Sequence, residues 1–225
     1  MLKNKQGKIE KMVSSNKEKA QILTKSFFPP KPADAAIPSN YNYPDPGYLP
    51  DTITREQISY HMHKLKPYKA PGPDGIPNII LTRCADLLLN RLFYIYKAIL
   101  ECNLQYTLWK TFTTIVLQKP GKPRYDVPKA YCPIALLKTM WKVLTAIVAD
   151  QLTYYSKKHD LLPDCHFRGR LGHTTTDALH LLTHQIKTEW RQHNIISVLF
   201  LDVEGTFPNA IPERLVHNLC NRCIP

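Results

Sequence analysis

Residues 195–205 read IISVLFLDVEG, a run of β-branched and large apolar residues that ends on a carboxylate. Such a run predicts a buried strand, and the glycine after it predicts a turn. A strand that carries Asp202 at its tip can hold a divalent cation, because hard cations bind rigid carboxylate oxygens. A second carboxylate, Glu204, follows two residues later. The stretch by itself leaves the alternative that Asp202 only meets solvent or begins a turn.

The overall composition points to a polyanionic partner. A chain of 225 residues that is 44% hydrophobic can form one large domain or two small ones with a real core. Its net charge of +12 favours nucleic acid, with an anionic membrane surface as the alternative. No apolar run reaches the roughly 18 residues of a membrane span, and the N-terminal residues lack the apolar segment of a secretory signal. We therefore expect an intracellular protein, nuclear or cytoplasmic.

The first 50 residues divide into a lysine-rich part and a proline-rich part. In the first part, the apolar spacing over residues 16–27 predicts a helix, which Pro29 and Pro30 end. The second part, residues 29–50, is rich in Pro, Asn, Asp and Tyr without any period. It predicts either an extended linker or an arm that lies on the surface.

Periodicity and capping patterns predict the elements that follow. Thr54 and Gln57 have capping-box spacing, and the helix that they begin runs out before Pro67. Residues 78–101 predict one long helix. The remaining predictions are a hairpin of strands at 112–118 and 131–137 around a basic turn, and helices over 141–155, from Thr174 and from Pro212.

Two of the connections between these elements are basic. Residues 68–77 read YKAPGPDGIP, and their prolines and glycines predict a fixed, exposed loop. Lys64, Lys66 and Lys69 flank it, and a rigid basic loop suits a sugar-phosphate backbone. The hairpin turn that includes Lys119 and Lys122 offers further cations for phosphate. For both connections, a plain solvent-exposed linker is the alternative.

Four blocks in sequence order resemble one family, the reverse transcriptases of non-LTR (LINE-type) retrotransposons, similar to elements found in fungi. The blocks are KAPGPDGIP at 69–77, LQKPGK at 117–122 with YCPIALL at 131–137, FRGRLGHTTTDAL at 167–179, and LDVEGTFPN at 201–209. They resemble the family patterns K-A-P-G-x-D-G-I-P, L-x-K-P-x-K with Y-R-P-I-x-L-L, F-G-x-R-x-G-x-S/T-T-x-D-A-L, and L-D-x-x-x-A-F-D. Together the blocks cover about residues 54–225.

The resemblance implies a helix-rich α+β fold, namely the fingers of a right-hand polymerase with the first strand of its palm. It implies that residues 1–50 are a basic, then proline-rich, linker. Residues 51–194 would form the fingers-like region, and residues 195–225 would begin the palm. The chain would stop before the rest of the palm and the thumb.

The resemblance also implies a chemistry, RNA-directed DNA synthesis on an RNA or DNA template-primer with two Mg²⁺ ions. Asp202 matches the first metal-binding aspartate, and the backbone of Val203 matches a position that also touches metal or triphosphate. Lys119, Lys122 and Arg170 match positions that bind nucleotide or template. Neither a membrane nor a second protein is implied.

Departures from the family pattern decide what we expect of the activity. The chain has no Asp-Asp pair, so the two-metal site is incomplete and a truncated, inactive polymerase is expected. Cys132 stands where the family has an arginine, and a thiol offers neither the charge nor the forked donors. The alternatives are a non-enzymatic basic nucleic-acid binder and a degenerate reading frame without function. Because the strand at 195–203 would lack palm neighbours, we expect an open edge and poor solubility.

Overall fold

The computed structural model describes residues 2–6, 9–32, 36–38, 40–47, 52–104, 107–170, 172–203, 205–206 and 209–224. Within these residues the fold is helix-rich α+β, with seven α-helices, two short 3-10 helices and two separate two-stranded sheets. The chain divides into two compact units, one formed by residues 1–147 with 205–225 and the other by residues 148–204. The domain boundaries proposed from the sequence, after residues 50 and 194, follow motifs rather than contacts and stay predictions.

The first unit begins with a short hairpin and a helix. Strands β1 (Leu2–Gln6) and β2 (Ile9–Val13) pair antiparallel, with Leu2 opposite Val13. Helix α1 (Asn16–Phe27) has the predicted bounds, because the prolines that follow cannot continue a helix. The hairpin was not predicted from the lysine-rich sequence.

The next helices confirm one prediction and correct another. Helix α2 (Arg55–Lys64) begins with the predicted capping box, in which Thr54 Oγ1 accepts from the Gln57 amide at 3.2 Å. The single helix predicted over 78–101 is wrong, since the structure has α3 (Asn78–Arg83) and α4 (Ala85–Glu101). The break falls at Cys84, whose φ of −102° and ψ of 20° leave the helical range. The apolar period continues through this break, so periodicity did not reveal it.

The core of the first unit lies where α2, α3 and α4 meet the first part of the next long helix, which begins at Thr139. Fully buried side chains there are Ile58, Met62, Leu81, Leu92, Tyr96, Val143 and Ile147. The Tyr96 hydroxyl donates to the Met140 carbonyl at 2.6 Å, and burial raises the pKa of this phenol.

The predicted second hairpin is confirmed. Strands β3 (Thr113–Gln118) and β4 (Tyr131–Leu136) pair antiparallel, with Ile115 opposite Ile134 and Leu117 opposite Cys132. Helix α5 (Thr139–Lys158) follows, and the boundary between the two units falls within it, after Ile147.

The proline-rich stretch packs against the last helix, α7 (Pro212–Cys220), which begins at the predicted proline. Lys31 forms an ion pair with Glu213, and this hydrogen bond lowers the pKa of the Glu213 carboxyl. The Tyr43 hydroxyl lies 3.0 Å from His217 Nδ1, and the Gly47 amide donates to the Cys223 carbonyl at 3.0 Å. The described residues of this stretch therefore behave as a surface arm rather than as a free linker.

The second unit contains a helix and the segment that was predicted as a buried strand. Helix α6 (Thr175–Arg191) begins with a capping box of Thr174 and Asp177, as predicted. Residues 194–203, the aspartate segment, form no strand, so the predicted first palm strand is wrong. The segment pairs with no strand of the described chain and exposes most of its apolar side chains, because a strand needs a hydrogen-bonded neighbour to persist.

Candidate nucleic-acid interface

The connection between α2 and α3, residues 65–77, is a loop built from two tight turns, called here the proline loop. In the first turn the Lys69 amide donates to the Lys66 carbonyl at 3.4 Å. In the second, the Gly75 amide donates to the Gly72 carbonyl at 3.0 Å, and the Ile76 amide donates to Asp74 Oδ1 at 3.2 Å. Gly75 has φ +68°, a conformation that glycine adopts without strain. The predicted fixed loop is therefore present.

Buried polar side chains anchor the proline loop at both ends. Asn78 Nδ2 donates to the Lys66 carbonyl at 2.9 Å, and Thr139 Oγ1 donates to the Ile76 carbonyl at 2.8 Å. Asn78 and Thr139 are themselves buried, so these hydrogen bonds are shielded from competing water. The loop backbone is thus held by α3 and by the start of α5.

A close backbone contact fixes the middle of the proline loop. A Cβ on the buried Gly72 would come within 2.6 Å of the Lys138 amide nitrogen and 2.7 Å of the Leu137 carbonyl. Nearby, Lys142 Nζ donates to the Ala70 carbonyl at 3.3 Å. Only glycine fits at this contact, which explains chemically why the block needs that residue type.

All three lysines predicted to contact a nucleic-acid backbone are exposed. Lys64, the last residue of α2, lies with Nζ 5.1 Å from the centre of the Tyr60 ring. Lys66 and Lys69 belong to the proline loop itself. A rigid backbone that carries exposed cations can bind phosphate without first being ordered.

The hairpin turn between β3 and β4 presents the second predicted pair of lysines. Lys119 and Lys122 are both exposed. The Lys119 amide donates to the Ala130 carbonyl at 2.8 Å, and the Lys119 carbonyl accepts from the Tyr125 hydroxyl at 2.9 Å. The backbone at Lys119 is therefore fixed while its side chain stays in solvent.

Two other residues of this hairpin limit the cationic surface. The Arg124 guanidinium binds the Asp126 carboxylate in two hydrogen bonds, so this pair adds no net charge to the turn. Cys132, which replaces the arginine of the family pattern, is exposed on β4 opposite Leu117. The strand thus places a thiol at the position where the resemblance implies a phosphate-binding cation.

Arg170 in the second unit is half-buried and already has an intramolecular partner. Its Nη1 donates to the Pro163 carbonyl at 2.9 Å. It lines a cleft of about 140 Å³ together with Lys157, Ser156 and Gly169. One role of Arg170 is therefore to hold the loop that precedes α6.

Asp202 and Val203, the predicted metal-binding residues, are exposed at the end of the aspartate segment. Glu204 lies outside the described residues. Among the residues that the structure describes, no group of three or more His, Cys, Asp or Glu side chains could hold a metal ion. The described donor set therefore does not fit a two-metal centre.

The predicted site residues are distributed over both units. The lysines of the proline loop and of the hairpin turn belong to the first unit, while Arg170, Asp202 and Val203 belong to the second. Residues 52–147, within the first unit, carry ten lysines and four arginines against five acidic residues. Sequence reasoning missed Thr139 as an anchor and the close backbone contact at Gly72, although a glycine between two prolines was a signal for such a contact.

Within the described residues, every helix is too short or too polar to cross a lipid bilayer. No family model matches the chain.

Comparison with known proteins found relatives that match most of this chain. It is 29% identical over 164 residues, 73% of its length, to the probable RNA-directed DNA polymerase from transposon BS of Drosophila melanogaster. It is 30% identical over 139 residues, 62% of its length, to the corresponding protein from transposon X-element of the same organism. A Pol polyprotein from the type-1 retrotransposable element R1 of Bradysia coprophila is 26% identical over 161 residues, 72% of this chain. The chain spans only 15 to 18% of the length of these relatives.

Proposed function

We propose that the chain forms the fingers and the beginning of the palm of a non-LTR retrotransposon polymerase. Supporting this, its homologues are RNA-directed DNA polymerases of such elements, and the matches cover most of the chain. In this role it binds an RNA or DNA template-primer through its basic loops. The observation that carries the proposal is the proline loop, whose anchored backbone bears exposed lysines.

The physical case for backbone binding by this loop rests on charge and rigidity. The phosphate backbone is the dominant source of affinity for nucleic acid, and lysine binds it without reading sequence. The loop lies within residues 52–147, whose lysines and arginines outnumber their acidic residues by fourteen to five. Because Asn78 and Thr139 already hold the loop, little conformational entropy is lost on binding.

The hairpin turn provides a second set of phosphate contacts in the proposal. Lys119 and Lys122 are exposed on a fixed turn, as a contact to template or triphosphate requires. Cys132 cannot form the bidentate phosphate contact of an arginine. We infer that nucleotide binding by this hairpin is weaker than in a relative that has the arginine, and that Cys132→Arg strengthens it.

Magnesium is the cofactor that the resemblance implies, and Asp202 is proposed as one ligand to it. Mg²⁺ prefers octahedral oxygen coordination, usually from one or two carboxylates together with substrate phosphates. The described residues do not assemble such a site, so no catalytic step is assigned to the metal here. The role of Asp202 stays a proposal that rests on the family pattern.

A polypeptide of these 225 residues is proposed to bind template-primer without extending it. Its sequence has no Asp-Asp pair, and one carboxylate motif does not hold two metal ions. Primer extension on a primed RNA template with Mg²⁺ or Mn²⁺ tests this inference. Template-dependent product that disappears in Asp202→Ala would overturn it and would support Asp202 as a metal ligand.

Fluorescence anisotropy with a labelled primed RNA template tests the binding itself. We expect affinity to fall steeply with salt and the triple substitution of Lys64, Lys66 and Lys69 by alanine to flatten that dependence. The matched control replaces Lys17, Lys19 and Lys25 of α1, which removes the same charge from another element. Equal losses in both variants, or a flat salt response of the unmodified chain, would contradict the proposal.

A further inference from the structure

We propose that Tyr68 is a base-stacking residue through which the proline loop binds unpaired nucleotides of a single strand. This inference rests on the proposed function, because it names the form of nucleic acid that the same loop recognises. The occupant is single-stranded RNA or DNA whose base faces are free.

The position of Tyr68 follows from the local sequence. Pro67 and Tyr68 are the two central residues of the turn that the Lys69 amide closes on the Lys66 carbonyl at 3.4 Å. Proline favours the first central position of such a turn, which places Tyr68 at the second. The Tyr68 side chain is 91% exposed.

Exposure of one aromatic residue has little meaning alone, since single apolar residues are common on protein surfaces. Here the backbone beneath the ring is fixed. Asn78, itself 3% exposed, donates to the carbonyl of Lys66, the first residue of the turn. The ring is therefore presented from a preorganised backbone, and stacking must order only the side chain.

The surroundings of Tyr68 select a single strand. The ring lies in sequence between the exposed lysines Lys66 and Lys69. Proteins that bind single strands combine cations along the backbone with aromatic rings on which bases stack. A duplex offers its phosphates to the same lysines but hides its base faces, so it gains nothing from the ring.

The neighbouring Tyr60 is a weaker candidate for this role. It is 58% exposed, and its ring already faces Lys64 Nζ at 5.1 Å, with its hydroxyl 3.3 Å from the same nitrogen. We therefore assign the stacking contact to Tyr68.

The test compares single-stranded and duplex RNA of one sequence, each labelled, with the 225-residue chain and its Tyr68→Ala and Tyr68→Phe variants. We expect Tyr68→Ala to weaken binding of the single strand about tenfold and to change duplex binding less than about twofold, while Tyr68→Phe keeps both affinities. A 2-aminopurine base in the single strand should lose its protein-induced emission change in Tyr68→Ala and keep it in Tyr68→Phe. The control is Tyr94→Ala, which removes a ring that is 64% exposed on α4.

The outcomes separate this inference from the proposed function. If the triple lysine variant loses binding but Tyr68→Ala does not, the inference fails and the proposed function remains. Equal losses for single strand and duplex in Tyr68→Ala also overturn the inference. If the unmodified chain binds neither probe, both proposals fail.

Discussion

The proline loop and the aspartate segment both carry blocks that resemble the family pattern, but the loop is held by hydrogen bonds from buried side chains and the segment is mostly exposed. The loop has its backbone carbonyls satisfied by buried side chains, Asn78 and Thr139. In the segment, the side chains of Leu199, Phe200 and Leu201 are 79%, 80% and 84% exposed. Other parts of the chain hold the proline loop in place, whereas the aspartate segment is largely exposed to solvent.

The difference lies in what each conformation needs from elsewhere. A tight loop needs a few hydrogen-bonded partners, and the chain supplies them from α3 and α5. A strand needs a neighbouring strand along its whole length, and the described chain supplies none to this segment. A sequence pattern therefore predicts a structure only as far as the partners of that structure are present.

The largest expected effect comes from breaking the backbone contact under the loop. Gly72→Ala places a methyl group 2.6 Å from the Lys138 nitrogen, so the backbone must move and the free energy of unfolding falls by about 3 kcal/mol. The control Gly75→Ala has open space around it but a φ of +68°, and should cost about 1 kcal/mol. Urea unfolding of both variants measures the difference, and equal losses would show that Gly72 is not a packing position.

Removing one anchor of the loop should have a smaller effect. Thr139→Val keeps the shape but leaves the Ile76 carbonyl without this donor, which costs about 2 kcal/mol because the site is buried. Amide hydrogen exchange should speed up at Gly75 and Ile76. Thr145→Val, which removes a hydroxyl that donates to carbonyls within α5, is the control. If the two variants unfold alike, the loop is not held by Thr139.

The same kind of change in the aspartate segment should hardly alter stability. Phe200 is 80% exposed, so Phe200→Lys should change the free energy of unfolding by less than about 0.5 kcal/mol. It should also increase the soluble fraction on expression, because an exposed apolar stretch with open backbone groups favours association. A loss above about 1 kcal/mol would mean that the segment is packed in solution and that the contrast with the loop is mistaken.

The smallest effect concerns the helix that leads into the segment. Hydrogen bonds from the Thr174 side chain and amide lower the pKa of Asp177. This carboxylate therefore stabilises the native state at pH values above its ordinary pKa, and the contribution is lost as the pH falls through the lowered folded-state pKa. NMR titration should show the Asp177 pKa rising toward its ordinary value in Thr174→Ala. An unchanged pKa would exclude the capping box as its cause.

Features set by neighbouring residues could be predicted from the sequence. Both capping boxes, the ends of α1 and the hairpin of β3 and β4 depend on residues close in the chain, and all are confirmed. The break at Cys84 was missed because the apolar period runs through it. The close contact at Gly72 and the intramolecular partner of Arg170 depend on atoms that sequence spacing does not bring together.

The arm, the described part of residues 29–50, is synthesised well before α7, the helix that it contacts. The pairs that join them, such as Lys31 with Glu213 and Tyr43 with His217, are 174 to 182 residues apart. At typical rates of synthesis the arm leaves the ribosome roughly 10 to 35 s before the helix that covers its tyrosines. During that interval Tyr41 and Tyr43 have no α7 to pack against. The arm is thus translated first but gains these contacts only after α7 has been translated.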